Sequence, residues 1–242
     1  MKAMILAAGL GTRLRPLTDS RPKALVTVAG RTLLEICLAR LRSFGVTEVI
    51  VNTHHYAEMI VHYLRAHDNF GMRIEISPEP DLLDTGGGLK HAAPFFLDPP
   101  ATTPFILHNV DVASTIDLAA MVRFHTGHNA LATLAVQQRP TSRPLLFDAE
   151  GRLRGRPDPA MPTPVGFSPL AFAGIHVLSP RIFAALSENG TFSIIDAYIR
   201  LASQAELVFA CPADGAYWRD LGRSSSIDQF ARDLASGAYP PG

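Results

Sequence analysis

A loop near the amino end holds the residues whose types and spacing best suit chemistry. After a short apolar run at 2–7 the chain carries the glycines Gly9 and Gly11 and the cations Arg13, Arg15 and Lys23. Glycine amides can approach oxyanions closely, and the neighbouring cations favour a polyphosphate. The dinucleotide fingerprint needs a third glycine where Leu14 stands, and the G-K-[ST] run of the P-loop is absent. The alternative is a solvated basic loop that binds nothing.

Alternating strands and helices place this loop at one edge of a sheet. Apolar runs predict strands at 2–7, 48–53, 72–76, 104–109 and 131–136, and amphipathic spacing predicts helices at 31–44, 56–67 and 117–125. The alternation favours an α/β fold with a Rossmann-like, mostly parallel sheet flanked by helices. Because ligands bind beyond the carboxyl ends of such strands, we expect loops 8–22, 77–88 and 110–114 to lie on one side.

The sequence pattern changes near residue 140. The later part predicts a hairpin around 148–151, an irregular proline-rich segment at 156–169, strands at 170–178 and 207–211, and helices at 182–186, 194–202 and 227–234. Serines at 224–226 are placed to cap the last helix. We expect a single domain over 1–242, with a core at 1–139 and a small carboxyl-terminal lid subdomain at 140–242.

The composition is that of a globular chain. Its 242 residues are 47% hydrophobic and 18% charged, and 22 Lys and Arg balance 22 Asp and Glu. This excludes a disordered chain, a collagen-like repeat and a coiled coil, and it gives no overall basic field for nucleic acid or a membrane surface. No run approaches the ~18 apolar residues of a membrane span. Cys37 and Cys211 lack metal-ligand spacing, and with no signal peptide recognised we expect a cytoplasmic location.

The loop and three later motifs together resemble a known family. The run Gly9–Lys23 (GLGTRLRPLTDSRPK) resembles the opening signature of the sugar-1-phosphate nucleotidyltransferases. Residues 77–79 with 84–88 resemble the family's base-binding segment, 109–111 its N-G-D metal motif, and 218–222 its W-x-D-x-G motif, in family order. The short length and the T-G-G-G run look most like bacterial N-acetylmuramate-1-phosphate uridylyltransferases, with mannose-1-phosphate guanylyltransferases as close relatives.

This resemblance implies a reaction between a nucleoside triphosphate and a sugar 1-phosphate that releases pyrophosphate. The acceptor phosphate has a second pKa of about 6, so at pH 7 it is mostly anionic and needs no dedicated general base. Catalysis then depends on positioning and on neutralising charge in the transition state. The resemblance implies Mg²⁺ as cofactor and small-molecule substrates as partners. We expect no nucleic-acid or membrane partner, and a monomer or small homo-oligomer.

The same resemblance implies individual roles. Arg13 would contact the leaving pyrophosphate, Lys23 would bridge the two reacting phosphates, and Asp111 would complete the catalytic set. Asp111 and Asp220 would hold Mg²⁺. Nucleotide-binding residues would be Leu6, Ala7, Ala8, Gly9, Gly11, Thr12, Arg13, Lys23, Glu79, Thr85, Gly86 and Gly87. In that set Glu79 would accept a ring N–H of the base, and the later glycines would let the flat ring lie against backbone. Apart from the resemblance, we expect Asn109, Gly174 and Trp218 to bind the sugar, because sugar rings often pack on aromatic side chains.

The sequence departs from the family pattern at two places. Val110 stands where the metal motif has glycine and could narrow the approach to the metal. The family's E-K-P lysine is missing, and Arg154 or Arg156 could replace it. UTP is the expected donor. Alternatives are a GTP-using mannose- or heptose-1-phosphate guanylyltransferase, a choline-phosphate cytidylyltransferase, a regulatory homologue that binds sugar nucleotides, and an unrelated nucleotide-binding module.

Overall fold

The computed structural model describes residues 1–98 and 102–239 and has strands alternating with helices. Its strands are β1 (Lys2–Leu6), β2 (Thr27–Val28), β3 (Arg31–Thr32), β4 (Glu48–Thr53), β5 (Arg73–Pro78), β6 (Phe105–Asn109), β7 (Val112–Ser114), β8 (Ala132–Gln137), β9 (Leu145–Phe147), β10 (Leu153–Gly155), β11 (Ser168–Leu178), β12 (Val208–Pro212) and β13 (Trp218–Asp220). Its helices are α1 (Leu33–Ser43), α2 (Ala57–Ala66), α3 (Asp84–His91), α4 (Ala93–Phe96), α5 (Leu118–Gly127), α6 (Ile182–Ala185), α7 (Ile194–Ser203) and α8 (Ser224–Ala235). The strands and helices expected from the sequence are all present.

Within the described residues, one large sheet of nine strands organises the fold. Strands β5, β4, β1 and β6 are parallel neighbours in that order, and β11 pairs antiparallel with β6. The first residues of β11 pair with β9, and the rest of it pairs with β8, which in turn carries β12. This confirms the α/β class and the mostly parallel, Rossmann-like sheet.

Both faces of the sheet are buried, which explains why its central strands are continuous apolar runs. In β1, Ala3 and Ile5 point into a core shared with α1, α2, α5 and α8. Met4 between them points into the opposite core, shared with α3, α4, α6 and α7. Because successive side chains of a strand alternate in direction, a strand between two helix layers must be apolar throughout. Polar residues therefore collect at its ends.

A two-stranded ribbon beside the large sheet escaped the sequence analysis. Strand β7 pairs antiparallel with β13, so that Val112 lies opposite Asp220 and Ser114 opposite Trp218. Strands of three residues carry too little alternation to be recognised from sequence. The ribbon brings a segment from late in the chain to the carboxyl end of β6.

Two local predictions are wrong. The loop expected at 77–88 ends early, because its second half begins helix α3 at Asp84. The serines at 224–226 do not cap the last helix: α8 starts at Ser224, and the residue before it, Arg223, makes no side-chain cap. These serines form the first turn of the helix instead.

The sheet continues across residue 140, because β11 from the later part lies next to β6 from the earlier part. The division into a core and a lid stays a prediction. Within residues 1–98 and 102–239, none of the helices has the length and apolar character needed to span a bilayer.

Candidate active site

The glycine loop leaves β1 and folds back through two short 3-10 turns. Gly11 has φ of 65°, and a Cβ there would lie 2.9 Å from Cγ2 of Thr18 and 3.0 Å from Cβ of Lys23. The close approach requires glycine, because any other side chain would clash in a left-handed conformation. Thr18 Oγ1 donates to the Gly11 carbonyl at 2.9 Å and holds the turn closed. The loop therefore carries Arg13 and Lys23 from neighbouring turns.

Lys23 forms an ion pair with Asp111, which follows β6. Lys23 Nζ donates a hydrogen bond to Asp111 Oδ2, and the two side chains are only 14% and 13% exposed. The carboxyl ends of neighbouring parallel strands share one edge of a sheet, so the residues after β1 and β6 meet there. The cation and the carboxylate are thus fixed next to each other.

Asp220 reaches the same place through the β7–β13 ribbon. The amide of Leu221 donates to the Asp111 carbonyl at 2.7 Å, which ties the end of β13 to the end of β6. A Cβ on Gly222 would lie 2.7 Å from Arg13 Nη2, 2.7 Å from Asp220 Oδ1 and 3.1 Å from Asp111 Oδ2. Arg13 Nη1 also lies 3.7 Å from Asp220 Oδ2. Three segments that are far apart in sequence converge at this point.

The two aspartates form a donor set that fits Mg²⁺. Carboxylate oxygens are hard ligands, and Mg²⁺ is usually held by one or two of them together with substrate phosphates. Among the residues that the structure describes, no group of three or more His, Cys, Asp or Glu side chains forms a metal site. The pair alone therefore suits a cation that is shared with a phosphate ligand.

Glu79 is placed differently from its expected role as an open acceptor for the base. The side chain is buried, and its Oε1 accepts from Asn52 Nδ2 at 2.7 Å while its Oε2 accepts from the Leu83 amide at 3.0 Å. Asn52 Oδ1 in turn accepts from the amides of Ala7 and Ala8, at 2.6 and 3.3 Å. Glu79 thus supports the glycine loop from inside the fold through Asn52, which the sequence analysis missed.

The glycines expected to lie under the base are packed against the chain instead. A Cβ on Gly86 would lie 2.3 Å from the Phe192 ring, and one on Gly87 would lie 2.3 Å from the Gly190 carbonyl. The Gly86 amide donates to the Phe192 carbonyl at 2.9 Å, and Thr85 Oγ1 accepts from the Ile194 amide at 3.0 Å. Close packing of α3 on the segment before α7 explains this glycine run.

The three residues expected to bind sugar come together around a bulge in β11. Gly174 has φ of 76°, and a Cβ there would lie 3.0 Å from Asn109 Nδ2. Trp218 donates from Nε1 to the Ala173 carbonyl at 2.7 Å. The Arg139 guanidinium covers its ring at 3.5 Å, so this face of the indole is not an open platform for a sugar. Arg139 was not among the predicted residues.

Part of this set of residues lines a cavity of about 1060 Å³, a size that suits a nucleotide or sugar ligand. Its lining includes Arg13, Thr85, Asn109, Asp111, Gly174, Trp218 and Asp220, together with Asp84, Arg139, Arg143, Arg156, His176 and Asp196. The remaining expected nucleotide residues lie outside this lining: Leu6, Ala7, Ala8, Gly9, Gly11, Thr12, Lys23, Glu79, Gly86 and Gly87.

Two further side chains, Val110 and His176, lie inside the core and in the cavity lining respectively. Val110 is buried in the core, so it does not narrow the approach to Asp111 as the sequence comparison led us to expect. His176 on β11 lines the cavity, and its Nδ1 lies 2.9 Å from the Tyr198 hydroxyl. Burial lowers the pKa of His176 to about 3, so the imidazole is neutral at pH 7. A polar residue within the apolar run of β11 was the signal that could have identified it.

The mostly parallel sheet thus carries a cationic glycine loop and paired aspartates at its carboxyl edge, an arrangement that suits the binding of phosphate groups. The chain belongs to the nucleotidyl transferase family, which its residues 2–237 match. It is 33% identical to an N-acetylmuramate alpha-1-phosphate uridylyltransferase of Caulobacter vibrioides, over 87% of this chain and 88% of that protein. It is also 33% identical to a probable mannose-1-phosphate guanylyltransferase 2 of Oryza sativa subsp. japonica, over 92% of this chain and 62% of that protein.

Solved structures share the fold. A UDP-glucose pyrophosphorylase from Acinetobacter baumanii superposes with a TM-score of 0.81 at 21% identity, covering 99% of this chain and 94% of that chain. A putative glucose-1-phosphate thymidylyltransferase from Bacillus anthracis gives the same TM-score at 19% identity, covering 97% and 96%. At these identities the likeness establishes the architecture only.

Proposed function

We propose that the protein transfers a nucleotidyl group from a nucleoside triphosphate to a sugar 1-phosphate and releases pyrophosphate. The observation that carries this proposal is the convergence of Arg13, Asp111 and Asp220 in the lining of one large cavity, with Lys23 paired to Asp111 beside it. In-line transfer between two phosphates needs cations and correct placement more than it needs a proton acceptor. The cavity offers both, beside a glycine loop whose amides can bind oxyanions.

Each charged residue then has a distinct task. The amides of the glycine loop hold the triphosphate, and Arg13 stabilises the pyrophosphate as it leaves. Lys23 lies between the reacting phosphates and offsets the negative charge that accumulates as they approach. Asp111 and Asp220 would hold Mg²⁺, which when bound neutralises phosphate charge and helps to orient the groups. Lys23 is oriented for this role by its ion pair with Asp111.

We propose UTP as the preferred donor. The uridylyltransferase relative matches over 88% of its length, whereas the guanylyltransferase relative matches over 62% of its own. Glu79 does not discriminate between the two bases, because its carboxylate is engaged within the fold. The expected result is a higher kcat/KM with UTP than with GTP, CTP or ATP.

The test is a matrix of the four nucleoside triphosphates against a panel of sugar 1-phosphates and choline phosphate, read by pyrophosphate release. A higher kcat/KM with GTP would assign the chain to the guanylyltransferases. A preference for CTP with choline phosphate would replace the sugar acceptor. Tight nucleotide binding with no pyrophosphate release from any pair would leave only a regulatory, sugar-nucleotide-binding role.

Gly222 gives a second test of the site. In Gly222→Ala, the new Cβ would meet the side-chain ends of Arg13 and Asp220 at 2.7 Å, so both must shift. We expect kcat to fall by about 100-fold, the usual penalty for a displacement of about 1 Å among reacting groups. Thermal stability should change little, because the groups that move are the ends of flexible side chains. Gly215→Ala is the matched control, since a Cβ there meets nothing within 4 Å. Normal kcat in Gly222→Ala would contradict the assignment.

A further inference from the structure

We propose that Arg139 binds the phosphate of the acceptor, and that Trp218 serves as the platform on which this arginine is held. The proposal rests on the function proposed above and deepens it, because it assigns a cation to the half of the site where the family's lysine is missing. Neither the cation nor the role for the tryptophan was expected from the sequence.

The Arg139 side chain is held by two contacts. Its guanidinium lies 3.5 Å from the centre of the Trp218 ring, and its Nη2 donates to the Phe172 carbonyl at 2.8 Å. Trp218 is itself anchored by its bond to the Ala173 carbonyl, the next residue of β11. A planar guanidinium stacked on an indole keeps its remaining N–H groups in a defined direction. The arginine is therefore preorganised for a ligand.

The charge of Arg139 lacks a matching carboxylate. Two other arginines of the cavity lining have one: Arg13 lies 3.7 Å from Asp220, and Arg156 lies 2.8 Å from Asp196. Within residues 1–98 and 102–239, no carboxylate oxygen lies within 4.0 Å of Arg139, and its Nε is buried without a hydrogen-bond partner. A partly buried guanidinium stays charged and is stabilised by an anion. Because Arg139 lines the cavity, a ligand bound there can supply that anion.

The cavity lining brings this cation together with the residues proposed to act in the reaction. Burial lowers the pKa of the Arg139 guanidinium, and the nearby Asp220 carboxylate raises it. Arg139 lines the same cavity as the proposed metal ligand Asp220. The expected sugar-binding residues Asn109 and Gly174 also line this cavity. The phosphate of a bound sugar 1-phosphate must lie between its sugar ring and the metal-binding carboxylates. Arg139 shares the cavity with both, and a guanidinium can bind a phosphate with two parallel hydrogen bonds.

The arginines that sequence comparison offered as replacements are less suitable. Arg154 is paired with Asp148 at 2.7 Å and is not part of the cavity lining. Arg156 reaches the cavity, but Asp196 neutralises its charge. Arg143 also lines the cavity, yet it is exposed and therefore screened by water. Arg139 is the cation that combines burial, anchoring and a free charge.

The test separates acceptor binding from donor binding. In Arg139→Gln, we expect the KM for the acceptor to rise by ~10-fold or more, the size of one lost charge-assisted hydrogen bond, while the KM for the triphosphate stays nearly constant. Arg139→Lys keeps the charge but loses the stacked, two-pronged contact, so it should give a smaller rise. Arg123→Gln is the charge-matched control, because Arg123 is exposed and is not among the residues that line the cavity.

Two further measurements make the result decisive. Trp218→Leu should raise the acceptor KM as well, and the double variant with Arg139→Gln should be no worse than the poorer single variant, since the two residues act as one unit. Calorimetric titration with α-glucose 1-phosphate and with UTP gives a readout that does not require turnover. Weaker binding of α-glucose 1-phosphate alone in Arg139→Gln supports the proposal.

The proposal would be overturned if Arg139→Gln left both the acceptor KM and the affinity for α-glucose 1-phosphate unchanged. It would also be overturned if the variant lost affinity for α-glucose 1-phosphate and for UTP to the same extent. A wild-type protein that releases no pyrophosphate from any pair would instead refute the proposed function, while the titration would still report on Arg139. The two failures are therefore distinguishable.

Discussion

Lys23→Ala is expected to lower kcat at least ~100-fold, because it removes a fixed positive charge from the position where two phosphates meet. The contact is largely excluded from water, since the Lys23 side chain is only 14% exposed, so bulk solvent cannot replace the lost charge. Steady-state kinetics by pyrophosphate release measures the effect. Arg73→Ala, a change of an exposed cation on the surface of β5, is the control and should leave kcat unchanged.

Stability must be measured alongside activity, because Lys23 also neutralises Asp111. Removing one member of a mostly buried pair leaves an uncompensated charge and lowers stability, whereas removing both charges costs much less. The double variant Lys23→Met/Asp111→Asn should therefore recover thermal stability relative to Lys23→Ala without recovering turnover. Near-normal kcat in a folded Lys23→Ala protein would exclude the proposed role.

Asp111→Asn is expected to abolish the activity that Mg²⁺ supports. Asparagine keeps the size of the side chain and one carbonyl oxygen, but it lacks the charge that attracts a hard divalent cation. The backbone contact from the Leu221 amide to the residue 111 carbonyl does not depend on the side chain, so the β7–β13 ribbon should stay in place. A Mg²⁺ titration of activity, carried out at saturating substrate concentrations, measures the loss.

The matched control for this variant is Asp228→Asn, which changes the same side chain at an exposed position on α8. Circular dichroism and thermal melting establish that both proteins are folded. If Asp111→Asn still responded to Mg²⁺ as the wild type does, Asp111 would have no place in the metal site, and Asp220 would have to act without it.

The elements that the sequence predicted well are those with a strong local signal. β1, β4 and β6 are short apolar runs bounded by polar residues, which is what burial between two helix layers requires. The rule that ligands bind beyond the carboxyl ends of parallel strands then predicted that the glycine loop and Asp111 lie on the same side of the sheet. The local sequence pattern and this topological rule were therefore sufficient to predict the part of the site formed by the glycine loop and Asp111.

The remaining contacts depend on residues that carry no local signal. Asp220 meets Asp111 only because two three-residue strands pair across the ribbon, and nothing in either segment specifies the other. Arg139 meets Trp218 through the bulge in β11, which no sequence periodicity encodes. Glu79 was assigned to the base by resemblance, whereas its hydrogen bond to Asn52 becomes visible only when β4 and β5 lie side by side.

The β7–β13 ribbon also determines when this site can first exist during synthesis. The glycine loop and Lys23 emerge from the ribosome early, and the central parallel strands can pair soon afterwards. Asp220 and Gly222 follow almost two hundred residues later and must then dock onto β7. A nascent chain is therefore catalytically silent until residue 222 has been made, even though most of its sheet can already have formed.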